Sequence, residues 1–253
     1  MLTTRVIPSL LLRGNGLVKT IKFKTPIYVG DPINAVKIFN EKEVDELILL
    51  DILATVEKKK PRIPLISAIA GECFMPLCYG GGIQSLDDIR QILGIGVEKV
   101  SINTYAVENP DFIKSAAETF GSQSIVVAID VRQISPGGYE VFTYGGKRST
   151  KLDPVRVAIE MAEMGAGEIF LNSIDRDGTM QGYDIGLIKK VAEAVSIPVI
   201  ASGGAGKLSD FDEAVRRGGA VAVAAGSLFV FHGKHRAVLI NYPSTQELQK
   251  MLQ

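Results

Sequence analysis

Two glycine runs in this 253-residue chain have the composition of anion-binding turns: Tyr79-Gly80-Gly81-Gly82 and Ser202-Gly203-Gly204-Ala205-Gly206. Each follows a short apolar run and opens onto an amphipathic stretch. Backbone N–H groups there can approach a phosphate beside the positive end of a helix dipole. The ends of two further apolar runs add small polar or glycine residues, Asn103 and Thr104 in one case, Gly226 and Ser227 in the other. One glycine run is also what a tight turn looks like. Two at equivalent positions predict a pair of phosphate cups and a ligand held at both ends, bis-phosphorylated or carrying two phosphate-bearing groups. Between the cups, apolar runs end on Asp51, Asp130, Asp175 and Asp177. A carboxylate at such a place is costly unless solvated, paired or used, which makes it a candidate acid or base. Asp130, after five apolar residues, is the leading candidate. Lys19 lies in a connection from Leu12 to Gly30 that is long enough to act as a lid, from which it could reach a phosphate or carboxylate.

The elements that must position these residues follow from the apolar pattern. Runs rich in Val, Ile and Leu occupy 5–11, 46–51, 76–79, 97–102, 125–130, 168–172, 198–201 and 220–224, with helix-length amphipathic stretches between them. Helix starts are expected at Asp31-Pro32, at Ser85 with Asp88, at Asn109-Pro110, and at Ser209 with Asp212. Eight such units predict an α/β fold, a single (βα)8 TIM barrel over residues 1–253, with an open doubly wound sheet as the competing arrangement. The string MPLCYGGGI echoes IPVIASGGA, and ELILLDI echoes EIFLNSI, both at an offset of 122 residues. A two-fold half-barrel repeat would set Gly81 and Gly203 on opposite sides of one mouth, at the strand C-ends where barrels carry their sites.

Composition narrows the classes of partner. Lys+Arg and Asp+Glu number 28 each, so the formal charge is zero, which argues against a nucleic-acid or membrane-surface binder. The apolar stretch 219–231 is too short to cross a bilayer, and the N-terminal run is broken by Pro8 without a cleavage region. Cys73 and Cys78 lack the surroundings of a zinc site, and His232 with His235 are too few ligands for a metal. A reduced, cytoplasmic protein is expected. No metal is expected, and with no nucleotide-binding fingerprint no cofactor either.

The strings SINTYAVENP, ETFGSQSIVVAID, VFTYGGK, GAGEIFLNSIDRDGTMQGYD and IASGGAGK closely resemble the cyclase subunit of imidazole glycerol phosphate synthase across nearly the whole chain. The resemblance implies a barrel of the HisF type that takes ammonia from a glutaminase subunit, HisH-like, in a heterodimer. It uses that ammonia on a bis-phosphorylated ribosyl ligand in histidine biosynthesis. Carried over by position, it assigns one phosphate cup to Gly82, Asn103 and Thr104, and the other to Asp177, Gly178, Gly203, Gly204 and Gly226. Asp130 matches one of the family's two essential aspartates. At the other the chain reads SLLLRGNGLVK, which places Leu11 where the acid belongs. Leu53 similarly stands where a small hydroxyl residue is expected. The family's ammonia gate maps onto Arg5, Glu46, Lys99 and Glu168, all of them present.

An intact gate beside a lost acid implies ammonia delivery to an acceptor other than the usual one. The leucine at position 11 resembles a group of paralogues from surface-polysaccharide clusters, which implies sugar amidation with a sugar amidotransferase as a further partner. An active cyclase with a replacement acid, and a non-catalytic phosphate-binding scaffold that regulates a glutaminase, are the two rival readings.

Overall fold

A computed structural model describes residues 4–233 and 235–252. Eight parallel strands close on themselves: β1 (Arg5–Arg13), β2 (Leu47–Asp51), β3 (Leu77–Gly80), β4 (Lys99–Ile102), β5 (Ile125–Ser135), β6 (Glu168–Ser173), β7 (Val199–Ser202) and β8 (Ala222–Ala225). Closure is made by β8 against β1, with Arg5 opposite Ala222 and Ile7 opposite Ala224. Each strand is followed by a helix: α1 (Pro32–Glu41), α2 (Ile63–Ala70), α3 (Leu86–Gly94), α4 (Pro110–Phe120), α5 (Pro154–Glu163), α6 (Ile185–Ala192), α7 (Ser209–Arg216) and α8 (Thr245–Leu252). The closed ring excludes the open sheet. Among the described residues no helix is long and apolar enough to cross a membrane.

Local chemistry accounts for most boundaries. Asp31 caps α1 by accepting from Asn34 N with Pro32 at the first turn, and Ser85 with Asp88 forms a reciprocal capping box on α3. The other two expected starts differ in detail. α4 begins at Pro110, but Asn109 makes no side-chain cap. α7 begins at Ser209 without a Ser209–Asp212 pair; instead Asp210 Oδ2 accepts from Gly206 N (2.8 Å) and Lys207 N (3.1 Å). Those two bonds tie the glycine run after β7 to the first turn of its helix.

Strand alternation divides the protein into two apolar layers. Outward side chains such as Leu47, Leu49, Val100, Val127 and Ile169 pack under the helices. Inward ones, Ile7, Ile48, Cys78, Val126, Ala128, Phe170, Ile200, Ala222 and Ala224, fill the barrel. The inner set is small for a barrel core, because β3 and β8 contribute Cys78 and two alanines where bulky branched residues are usual.

The largest departure from expectation is the first connection. Instead of a mobile lid it is a β-hairpin, Gly16–Ile21 with Lys24–Gly30, whose first strand runs antiparallel to β1 with Leu11 opposite Val18. A second hairpin, Gly138–Thr143, extends β5 beyond the ring. Leu17, Val18, Lys19 and Thr20 are all buried, which is what turns a polar-looking loop into a strand.

Candidate functional site at the barrel mouth

A cavity of about 400 Å³ opens at the C-terminal ends of the strands. It brings together nearly all the residues singled out above: Asp51, Gly81, Gly82, Asn103 and Thr104 on one side, Lys19, Ser202, Gly203, Gly204, Gly226 and Ser227 on the other, with Asp130, Asp177 and Gly178 between them. Leu11 and Leu53 line it as well. Asp175 does not, and is engaged elsewhere by Gln133 N at 2.8 Å.

The two glycine runs have matching backbones. Gly81 and Gly203 adopt φ of +119° and +88°, and Gly82 and Gly204 adopt +76° and +117°, conformations that favour glycine. A Cβ on Gly81 would strike the carbonyl oxygen of Asp51, and one on Gly203 would lie 2.6 Å from that of Ser173. Asp51 and Ser173 are themselves separated by the 122-residue offset, so the repeat extends to the contact that demands glycine. Around the first run, Gly82 N donates to Thr55 Oγ1 (3.2 Å), Asn103 Nδ2 to Ala128 O (2.9 Å) and Tyr144 N to Thr104 Oγ1 (3.0 Å). Thr55, two residues beyond Leu53, thus brings a hydroxyl to this corner.

The carboxylates divide by the company they keep. Asp51 accepts from Leu53 N and Ala54 N at 3.1 and 3.2 Å and faces Arg62 at 3.4 Å, so it shapes the loop after β2. Asp177 accepts from Thr20 Oγ1 (2.8 Å) and Phe23 N (3.4 Å), which pins the hairpin to the loop after β6. Burial raises its pKa, and Thr20 and Lys19 oppose the rise. Asp130 has one protein partner among the described residues, Asn172 Nδ2 at 3.2 Å on the neighbouring strand. Burial pushes its pKa up to about 7, with Asn172 pulling down and Asp177 pushing up. What surface Asp130 retains faces the cavity, so desolvation dominates despite partial exposure. A carboxyl poised near 7 can serve as acid or base near neutrality.

Lys19 does not sit in a lid: it is 5 % exposed, held on the inner hairpin strand, and donates to Ser9 O. Two further residues belong to the site. Asn172 and Ser101 both line the cavity, and Asn172 Oδ1, Ser101 Oγ and Ser227 Oγ are buried without a protein partner. The signal was available for Asn172, a polar residue two positions beyond Phe170 on the same inward face.

At the opposite end of the barrel, Arg5, Glu46, Lys99 and Glu168 form a closed ring of alternating charge. Arg5 bonds Glu46 and Glu168; Lys99 Nζ lies 3.1 Å from both oxygens of Glu46 and 3.1 Å from Glu168 Oε2. Burial works against the Arg5 charge, but Glu168 and Glu46 outweigh it and raise its pKa. On β1, β2 and β6 the order is the same: ring residue, apolar interior and cavity wall succeed each other at every second position, as Glu46 just before β2 with Ile48 and Leu50, and Glu168, Phe170, Asn172 on β6, whereas on β4 Lys99 is followed directly by the cavity residue Ser101. His232 and His235 are exposed, and both cysteines are free thiols.

Comparison with known proteins agrees with this geometry. The family described as "Histidine biosynthesis protein" matches residues 5–236. A Pseudomonas aeruginosa protein named as imidazole glycerol phosphate synthase subunit hisF2 is 56% identical over 248 residues, covering 98% of this chain and 99% of its own. A HisF-named subunit of Leptospira borgpetersenii is 52% identical, covering 96% of each chain. Another of Vibrio vulnificus, named hisF3, is 50% identical, covering 100% of this chain and 98% of its own. With its closed (βα)8 ring and paired glycine turns, the chain belongs to the histidine-biosynthesis barrel family, as a cyclase subunit of the HisF type of imidazole glycerol phosphate synthase.

Proposed function

We propose that this barrel receives ammonia from a docked glutaminase at the charged ring and passes it through the interior to a phosphate-bearing acceptor at the mouth. The acceptor chemistry we favour is amidation of a surface sugar, with a sugar amidotransferase as a further partner. The observation that carries the reading is the stacking along the strands: the ring, then Ile7, Ile48, Ala222 and Ala224, then the polar cavity. Neutral ammonia crosses an apolar interior far more readily than ammonium, and charged groups at one end can couple its entry to a bound partner. Two paired glycine turns at the other end suit an acceptor carrying phosphate at two points.

Leu11 favours an acceptor other than the ribulosyl substrate of the standard cyclase, because one of two proton-transfer groups is missing and such a loss typically lowers rate ~10²- to 10⁴-fold. Turnover in histidine biosynthesis is the second reading, favoured by Lys19 on the strand beside Leu11. The test is glutamine hydrolysis by the cognate glutaminase with and without this chain, and with Lys99→Ala or Glu168→Ala. Stimulation by the native chain that the variants lose is expected. Equal hydrolysis with and without the chain would refute docking. Addition of the bis-phosphorylated ribulosyl substrate with ammonium salt separates the two acceptors, since rapid loss of its absorbance would establish the cyclase instead.

A further inference from the structure

Closure of the ring fixes what each pair of strands faces across the cavity. In ring order, β3 and β4 carry the first cup with Gly82, Asn103 and Thr104, and β7 and β8 carry the second with Gly203, Gly204 and Gly226. A ligand held in both cups therefore has two free edges. One edge lies against β5 and β6, which present Asp130 and Asn172. The other lies against β1 and β2.

The centre of that second wall is apolar. Leu11 stands opposite Leu50 in the register of β1 against β2, and both line the cavity. Ile52 N donates to Leu12 O at 3.1 Å, which holds the loop after β2 against β1 and brings Leu53 into the same wall. Leu50 packs onto the inner apolar layer of the barrel. Leu11 and Leu53 are half-buried, yet among the described residues they pack against neither apolar layer. The polar groups of this wall are engaged or stand at its margins. Asp51 is occupied by Leu53 N, Ala54 N and Arg62. Ser9 lies one inward position below Leu11, with its carbonyl taken by Lys19, and Arg13 lies one above, at the exposed rim. Leu11 and Leu53 are also the two positions where the resemblance leads one to expect an acid and a small hydroxyl residue. Both departures thus fall on one edge of the ligand. A hydroxyl pressed against them would lose water without gaining a hydrogen bond, whereas an alkyl group would release water from both surfaces.

We infer that the acceptor is two-sided about its long axis: it carries a small apolar substituent, such as a methyl group, on the edge opposite the one that faces Asp130. Leu11, Leu50 and Leu53 are the residues that select it. The inference rests on the reading that a phosphate-bearing acceptor is held in both cups.

The experiment uses alkanediol bisphosphates, which carry a phosphate at each end. Titration calorimetry with chains of increasing length first locates the span that fits both cups. At that length, a chain with one mid-chain hydroxyl is compared with chains that bear a methyl or an ethyl group on the same carbon. Asp130 and the unpartnered Asn172 Oδ1 take the hydroxyl, which turns the alkyl group towards the leucines. Burial of each added carbon should tighten binding about four-fold, hence about four-fold for methyl and about fifteen-fold for ethyl. Both gains should disappear in the double variant Leu11→Asn with Leu53→Thr. Each gain is a ratio of affinities within one protein, so a change in the variant's stability does not move it. Equal or weaker binding of the alkyl chains by the native protein overturns the inference, and so does a gain that the double variant keeps. Failure of every bisphosphate to bind refutes the two-cup reading, and this inference falls with it.

Discussion

Glu46→Leu removes the most buried member of the charged ring, 2 % exposed, which accepts from Arg5 and from Lys99. Two cations would then share Glu168 alone. Removing one partner of a buried pair costs about 3–5 kcal/mol. Arg5 and Lys99 keep 28% and 17% of their side-chain surface, so water recovers part of the loss and the lower end, about 3 kcal/mol, is expected. For a chain of this size that is a fall in Tm of roughly 6–12 °C. The informative comparison is the fourfold change Arg5→Met, Glu46→Leu, Lys99→Met and Glu168→Leu, which removes every charge together. Apolar replacement of a whole buried cluster is neutral or stabilising by about 1–4 kcal/mol. Urea unfolding followed by circular dichroism should place the fourfold variant at or above the native chain and Glu46→Leu well below it. Stimulation of a glutaminase should be lost in both. A fourfold variant as unstable as the single one would refute the reasoning, because the ring would then be what holds that end of the barrel together.

Three further outcomes follow from the mouth. The folded-state pKa of Asp130, about 7, lies above its unfolded value of 3.8, so the native state retains a proton that the unfolded chain releases. Its stabilisation is full below pH 3.8, declines as pH rises towards 7 and is gone above. Asp130→Asn should remove up to about 3 kcal/mol of that decline between pH 4.5 and 7.5, read by comparing urea unfolding of both proteins at those two values. Gly203→Ala forces a side chain to φ +88° and its Cβ to 2.6 Å from Ser173 O; a loss of about 1–3 kcal/mol is expected, together with loss of the thermal shift given by inorganic phosphate. Thr20→Val deletes the 2.8 Å bond to Asp177, so hydrogen exchange across residues 16–30 should accelerate about five-fold, matching about 1 kcal/mol; unchanged exchange would show that the bond does not hold the hairpin.

How far the sequence could be read depended on whether a signal was local. The eight strands were legible because each is a near-continuous apolar run, and Asp31-Pro32 and Ser85 with Asp88 were legible because a cap is made within four residues. The first hairpin was not. Its exposed strand, Lys24–Gly30, carries Ile27 and Tyr28 on the surface, and its buried strand hides Lys19 and Thr20, which inverts the usual pattern. What buries those polar residues is Asp177, distant in sequence, together with the backbone of Ser9. The roles of the mouth acids were likewise decided by such partners. Asp51 and Asp130 both follow apolar runs, but Arg62 and two backbone N–H groups occupy Asp51, whereas Asn172 leaves Asp130 half satisfied.

The spacing of two along each strand also bears on how such a barrel can change its chemistry. A residue at the cavity wall, such as Leu11, lies three inward positions from Arg5 on the same strand, with Ile7 and Ser9 between them. Packing transmits volume changes over one neighbour more readily than over three, and separated sites add nearly independently. The identity of position 11 can therefore alter which acceptor reacts without disturbing the ring's ion pairs. The converse holds for Lys19, which touches Ser9 and Gly226 directly. A larger residue at 226 would displace the amine, so Gly226→Ala is expected to abolish the thermal shift given by inorganic phosphate while the ring's coupling to a glutaminase persists. Loss of both together would show that the two ends of the barrel are not separable.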